Sequence, residues 1–361
     1  MRIVAPTISH RASVPAGAGS AAVSRPYPGP VRIVVTGAAG MLGTRLVDRL
    51  AVRGALGDVR LSHMLLVDAV APRVVAAGDI AVQTLVADIA DDGVAEEAVS
   101  ARPDVIFHLA AVVSGEAEAD LEKGFRVNVD ASRRLFEAIR RSAAVRPPRV
   151  VFSSSIAVFG PPFPDVIGDR HRPAPSTSYG TEKAIVELLL DDYTRRGVLD
   201  GVSIRLPTLC VRPGAPNLAA SGFFSSIIRE PLHGRTAILP VPDDVRHWFA
   251  SPRAAVGFLT HAGTLPGEAL GRNRAVTMPG VSATVAMQID ALRRAAGDGT
   301  VSLITRQPDE TIARIVAGWP GRFDPRRALA LGFRAETSFD QLIQVYIDDE
   351  LGGTLPPRAA A

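Results

Sequence analysis

The sequence predicts an α/β protein, a doubly wound parallel sheet with a smaller C-terminal cap. Three observations carry that expectation. Short apolar, β-branched runs alternate with helical spacings six times between Val31 and Leu206, as parallel strands joined by crossover helices do. The first run passes into a helix through a glycine-rich stretch, Gly37-Ala38-Ala39-Gly40-Met41-Leu42-Gly43. Beyond Cys210, helical segments such as 222–228 and 285–296 are separated by Pro/Gly-rich loops, which suits a cap over the carboxyl edge of the sheet.

Composition sets the outer limits. A chain of 361 residues can bury one large core or two small ones. An apolar fraction of 47% with 21% charged residues is that of a soluble globular protein. No uncharged apolar run approaches the ~18 residues of a membrane span, so no membrane partner is expected. The lone cysteine, Cys210, excludes an internal disulfide and a multi-cysteine metal site and fits a reducing, cytoplasmic setting. The seven histidines show no ligand spacing, and no metal is expected.

The sequence pI of 9.4 has a local origin. Residues 1–30 carry Arg2, Arg11 and Arg25 and no acid, and these three account for the whole formal excess of +3. The body is formally neutral, which gives no electrostatic reason to expect a nucleic-acid partner. The same 30 residues are rich in Ala, Ser, Gly and Pro without periodicity and read as a disordered leader. They lack the apolar core of a secretory signal. The expected organisation is a leader over 1–30, a mainly cofactor-binding unit over 31–209, and a mainly substrate-binding cap over 210–351. Some cap segments are expected to return to the first unit, and 352–361 to form a flexible tail.

Taken in order, Val31-Arg32-Ile33-Val34-Val35-Thr36 has the look of a buried parallel strand. Gly37 then allows a tight turn, Gly40 lets backbone N–H groups approach a pyrophosphate, and Gly43 lets the following helix pack against the strand. With Met41 and Leu42, these glycines form a candidate dinucleotide site at the positive end of a helix. A second strand, Met64 to Val67, ends in Asp68. An acid there accepts ribose hydroxyls and repels a 2′-phosphate, favouring NAD over NADP; Arg73 is the nearest arginine beyond it.

Strand-like Gln83 to Ala87 precedes Asp88 and Ile89, an acid and an apolar residue placed to hold the edge and face of an adenine. The run Asp104 to Ala111 closes on Leu109, Ala110 and Ala111, small enough at its end for a cofactor to lie over the backbone. His108 within it reads as a packed strand-end residue. A long helical segment follows, Glu118 to Ala143, and contains Asn128. The strand at 149–154 ends in Ser153-Ser154-Ser155, and after a Pro-rich loop comes Tyr179-Gly180-Thr181-Glu182-Lys183. A tyrosine and a lysine four apart share one helix face. An ammonium beside a phenol favours the phenolate, so the pair is expected to transfer protons with a depressed tyrosine pKa. The strand Val202 to Leu206 completes the alternation.

Four motifs in order now carry a resemblance: TGxxGxxG at 36–43, HLAA at 108–111, SSSxxVFG at 153–160 and YxxxK at 179–183. Together they resemble the extended short-chain dehydrogenase/reductase family, which includes nucleotide-sugar epimerases. Within it, the stretches Ala110 to Asp120, Ser155 to Gly160, Arg205 to Gly214, Ile228 to Leu232 and Gly318 to Asp324 are similar to the branch of bacterial D-erythronate dehydrogenases. The likeness runs from Val31 to about Ile347.

The resemblance implies a Rossmann fold, NAD as cofactor and homodimerisation through the helices near Asn128 and Tyr179. It further implies Tyr179 as general base, Lys183 on the nicotinamide ribose, and Ser155 on the reacting oxygen. Gly37, Gly40, Met41, Leu42 and Gly43 would line the pyrophosphate, and Asp68 would hold the ribose. Asp88 and Ile89 would hold the adenine, Leu109, Ala110 and Ala111 would pass under the cofactor, and Asn128 would contact it. Pro207 would meet the nicotinamide, and Phe159 would stand where sugar-nucleotide enzymes carry tyrosine.

The implied substrate is a small sugar acid, oxidised at the hydroxyl beside its carboxylate to the 2-oxo acid. After the sixth strand, Pro207 to Val211 lacks the asparagine with which epimerases meet a nucleotide, which disfavours a bulky nucleotide sugar. A carboxylate calls for a guanidinium fork. Arg212 follows the strand nearest Tyr179 and is preferred over Arg246 and Arg253, with Ser114 and Asn217 as partners for hydroxyls. Trp248 and Phe249 are expected to pack the cap. Two other classes stay open: an NAD-dependent nucleotide-sugar epimerase or dehydratase, and a non-catalytic NAD-sensing protein.

Overall fold

The computed structural model describes Tyr27 and residues 29–142, 146–214 and 221–355. Most of the expected leader, Asn217, Ala143 and the end of the tail lie outside the described residues. The ordered body reaches back to Tyr27, which the expected leader had included. Its ring is buried in the core and its hydroxyl donates to the Gly263 carbonyl at 2.5 Å.

Strand β1 (Val31–Thr36) shows why the sequence folds in layers. Its side chains alternate: Ile33 and Val35 enter one core with Leu46, Leu50 and Phe258, and Val34 enters another with Leu135 and Phe136. Helix α1 (Met41–Arg53) buries Gly43, Leu46, Val47 and Leu50 along one face and ends at Gly54, whose φ of +62° forms a left-handed cap. Strand β2 (Val59–Asp68) is longer at its start than its most apolar stretch, because Ala55–Leu56 folds back on it in a small antiparallel hairpin. Then come β3 (Ala81–Val86), α2 (Val94–Ser100) and β4 (Val105–His108).

The single long helix expected from Glu118 is divided. Helix α3 (Ser114–Ala119) stops at Asp120, whose extended backbone and side chain, accepting from Lys123 N, cap a new start. Helix α4 covers residues 121–141, with a π turn over Phe125–Asp130. Strand β5 (Arg149–Ser155), helix α5 (Ser178–Arg195) and strand β6 (Asp200–Leu206) complete the alternation.

Beyond β6 the chain runs through β7 (Thr208–Leu209), α6 (Gly222–Leu232), β8 (Ala237–Leu239) and β9 (Arg246–Ala250). Next are α7 (Pro252–Thr264), β10 (Ala275–Thr277), β11 (Val281–Thr284), α8 (Val285–Ala296), β12 (Ile304–Arg306) and, after shorter turns, α9 (Phe339–Glu350). Seven strands form one parallel sheet in the order β3-β2-β1-β4-β5-β6-β10. The order reverses between β1 and β4, which opens a crevice at their carboxyl ends. This is the doubly wound Rossmann arrangement that the sequence predicts.

A separate core lies over that end. Phe224, Ile227 and Ile228 of α6 pack there with Phe249, Ile289, Leu292, Leu342 and Ile343. Helix α7 returns to the sheet core, contributing Val256, Phe258 and Leu259, and β10 pairs with β6. Among the described residues, no helix is long and apolar enough to cross a membrane.

Candidate active site

A cavity of about 400 Å³ opens between the carboxyl ends of β1, β4, β5 and β6 and the start of α6. One wall is the glycine turn. Gly37 has φ +73°, and a Cβ on it would lie 2.6 Å from Ala110 N; a Cβ on Gly43 would lie 2.1 Å from the Gly37 carbonyl. Only glycine fits either place. The start of α1 has no side-chain cap and no acid in its first turn, so its N–H groups stay available to an anion. Asp68 stands beside the turn, accepting from Ala39 N at 2.9 Å and Val70 N at 3.0 Å. These features fit a dinucleotide, with Gly37, Gly40, Met41, Leu42 and Gly43 lining the cavity. Arg73 pairs with Asp48 instead of facing Asp68.

The hydroxyl wall comes from the end of β5. Ser153 Oγ donates to the His108 carbonyl at 3.2 Å and Ser154 Oγ to Glu187 at 2.5 Å. Ser155 Oγ accepts from Ala157 N at 3.1 Å, a bond that leaves its own proton free to be donated. Helix α5 is brought close to this wall because Gly180 has no side chain; a Cβ there would sit 2.1 Å from the Ala157 carbonyl. Thr177 caps the helix by accepting from Gly180 N at 3.1 Å. Tyr179 and Lys183 therefore line the same cavity as Ser155 and the glycine turn.

Lys183 is 1% exposed, with Nζ 4.7 Å above the Phe152 ring and 5.5 Å from the centre of the Tyr179 ring. Burial lowers its pKa to about 8, against the raising influence of Glu182 and Glu187. The expected depression of the tyrosine does not hold in this state. Burial pushes the Tyr179 phenol up to about 12, Glu182 adds to the rise, and Arg212 opposes it.

The facing wall is cationic. Arg212 lines the cavity and donates to Ser221 Oγ at 2.6 Å; among the described residues it pairs with no carboxylate. Arg229, 4% exposed, lines the cavity too and donates to the Arg212 carbonyl at 2.8 Å and Glu230 at 2.7 Å. Ser225 accepts from Arg212 N at 3.0 Å. Sequence reasoning missed Ser225 and Arg229 as site residues. The available signal was weak, since Arg229 and Glu230 follow the apolar pair Ile227-Ile228 as an ordinary charged pair on α6.

The remaining expected residues divide between the cavity and the core. Pro207, Leu109 and Ala111 line the cavity, whereas Ala110 turns into the core below it. Asn128 is not among the residues lining the cavity. Its carboxamide accepts from Val112 N at 3.0 Å and donates to the Val112 carbonyl at 3.3 Å and Glu182 at 2.6 Å. Asp88 is paired with Arg126 and bonded to Ala90 N, and Ile89 is buried in the sheet core; neither lines the cavity. Ser114 opens α3 directly after the lining residue Val113 but does not itself line the cavity.

Arg246 reaches Ser282, and Arg253 pairs with Asp349, so neither replaces Arg212. His108 is a packed strand-end residue, bonded to Thr36 and Ser132, its pKa lowered to about 3 by burial. Trp248 and Phe249 pack in cores, Trp248 against Phe323. Phe159 is buried 5.0 Å from the Arg205 guanidinium.

Comparisons with known proteins follow this geometry. Residues 33–249 match the NAD dependent epimerase/dehydratase family. D-erythronate dehydrogenase of Cupriavidus necator is 46% identical over 88% of this chain and 98% of its own length. The D-erythronate dehydrogenase of Haemophilus influenzae is 39% identical over 89% of this chain and 100% of its own length. A crystal structure described as the nucleoside-diphosphate-sugar epimerase from Agrobacterium tumefaciens superposes with a TM-score of 0.89 at 53% identity. It covers 94% of this chain and 100% of that one.

Proposed function

The chain belongs to the NAD-dependent epimerase/dehydratase family, and from that premise we propose that it oxidises the 2-hydroxyl of a four-carbon sugar acid to the 2-oxo acid. It is an NAD-dependent dehydrogenase. The observation that supports the finer reading is one cavity lined by Ser155, Tyr179 and Lys183 and also by Arg212 and Arg229. Such a site suits a short substrate with an alcohol at one end and an anion at the other.

Bound NAD supplies the hydride acceptor. The chain's own part is the handling of proton and charge. Tyr179 removes the hydroxyl proton, helped by Lys183, whose ammonium favours the phenolate and which also holds the nicotinamide ribose. Ser155 donates its free proton to the reacting oxygen and orients it. Arg212 holds the carboxylate, with Arg229 reinforcing the positive wall. Asp68 accepts from the adenosine ribose and disfavours a 2′-phosphate. In this reading residues 31–209 mainly bind NAD and 210–351 mainly the substrate.

The same reading makes the protein a cytoplasmic homodimer. Leu121, Phe125 and Leu188 are 65%, 42% and 71% exposed on α4 and α5, an apolar surface suited to a second copy. An epimerase is the competing reading, favoured by the name of the solved Agrobacterium tumefaciens relative. The deciding experiment follows NADH formation by purified protein with NAD and a panel of aldonic acids and nucleotide sugars. Net NADH with a four-carbon aldonic acid is expected. Conversion of a nucleotide sugar without net NADH would overturn the proposal.

A further inference from the structure

Glu182 sits between the catalytic tyrosine and lysine in sequence, yet its side chain leaves the cavity. It is 1% exposed. Oε2 accepts from Asn128 Nδ2 at 2.6 Å, while Oε1 has no hydrogen-bond partner among the described residues. Burying a carboxyl with one oxygen unmatched is unfavourable. The fold nevertheless makes room for it. A Cβ on Gly124 of α4 would lie 2.5 Å from Oε1, and 3.1 Å from the Ala117 methyl of α3.

The partner of Glu182 is equally committed. Asn128 binds both backbone groups of Val112, and Val112 with its neighbours Ala111 and Val113 lines the cavity. A continuous path of contacts thus joins α5, α4 and the wall that follows β4. We propose that Glu182 is a positioning residue for the reaction, a buried carboxylate that locks the Val112 wall to the helix bearing Tyr179 and Lys183 through the Asn128 carboxamide.

Its charge gives the position a second consequence, which rests on the reading of Tyr179 as base. The charged groups facing Glu182 are Lys183 on its own helix and Glu118 on α3. Tyr179 in turn faces Glu182 and Arg212, and Lys183 faces Glu182 and Glu187. A carboxylate beside Tyr179 disfavours the phenolate. Burial raises the Glu182 pKa, against the Asn128 hydrogen bond and Lys183; where the carboxyl is ionised, removing its charge lowers the tyrosine pKa and moves the acid limb of the rate profile to lower pH.

The test uses Glu182→Gln, Glu182→Ala and Asn128→Ala in the full chain. Glutamine keeps an acceptor for Asn128, so amide exchange at Val112 should stay slow while the acid limb of kcat/KM shifts to lower pH. Alanine at 182 should speed Val112 exchange about tenfold and raise KM for NAD more than it lowers kcat. The 182/128 double variant should be no worse than the poorer single one. Unchanged Val112 exchange in Glu182→Ala, or additive effects in the double variant, would overturn the lock. If Glu182→Ala does not fold, Asn128→Ala decides the lock, and unchanged Val112 exchange in it contradicts the proposal; an unmoved acid limb in Glu182→Gln overturns only the charge effect. Val112 exchange needs no turnover, so it fails or succeeds independently of Tyr179 as base.

Discussion

Arg205 at the end of β6 grips Glu187 on α5 through two nitrogens, Nε at 2.9 Å and Nη2 at 2.7 Å from its two oxygens. Both side chains are under 10% exposed, and Ser154 donates to the same carboxylate. Glu187 lies one turn beyond Lys183, so this pair fixes the height of the catalytic helix above the sheet. Replacing Glu187 by glutamine, or Arg205 by methionine, leaves one buried charge alone. Either change should destabilise the fold by about 3–5 kcal/mol, read from urea unfolding. A loss below about 1 kcal/mol would mean that the pair is not structural.

Asp68 braces the glycine turn through Ala39 N, although it is not among the residues lining the cavity. Asp68→Asn removes the charge and keeps one acceptor oxygen, so only one of the Ala39 and Val70 N–H bonds survives. It should weaken NAD binding about tenfold and relax discrimination against NADP, measured as dissociation constants. Unchanged affinity for both dinucleotides would remove Asp68 from the ribose site.

Arg212 is a cavity cation that pairs with no carboxylate among the described residues. Arg212→Ala should lower kcat/KM for a sugar acid about 100-fold, mainly through KM, and Arg212→Lys should recover only part of it because lysine offers no fork. Steady-state kinetics test this. An unaltered KM would assign the carboxylate elsewhere.

Lys183 gives a signed pH prediction for the cofactor-free protein. Its folded pKa of about 8 lies below the ordinary 10.5, so between those values the unfolded chain holds a proton that the folded chain has lost. Stability contributed by this group therefore rises with pH across that window. Below pH 8 the buried ammonium is at its most unfavourable. Lys183→Met should raise Tm near pH 7, and its advantage should shrink as pH climbs from about 8 toward 10.5. A constant difference across that range would contradict the lowered pKa.

The parts of this structure legible in the sequence are those set by local chemistry. Gly37 and Gly43 had to be glycine for steric reasons that the strand–turn–helix context already implies, and the parallel, doubly wound sheet follows from the alternation of apolar runs and helices. Residues whose position depends on pairing across the fold were not legible. Asn128 was expected at the cofactor; it lies in the π turn of α4, and its bonds to Val112 and Glu182 could not be read from its neighbours in sequence. Nothing local to Gly124 announces that it makes room for a carboxylate far along the chain. Arg229 reaches the cavity only because α6 folds back over the sheet, which no periodicity reveals. The tyrosine pKa was misread in the cofactor-free protein because burial outweighs the neighbouring charges there.

The central claim is that Tyr179 is the base of an alcohol oxidation in the cavity it shares with the glycine turn. Tyr179→Phe, assayed by NADH formation beside a direct measurement of NAD binding, tests it most directly. The expected result is an NAD dissociation constant near the wild-type value with turnover reduced at least about 100-fold. Wild-type turnover by the phenylalanine variant would contradict the account.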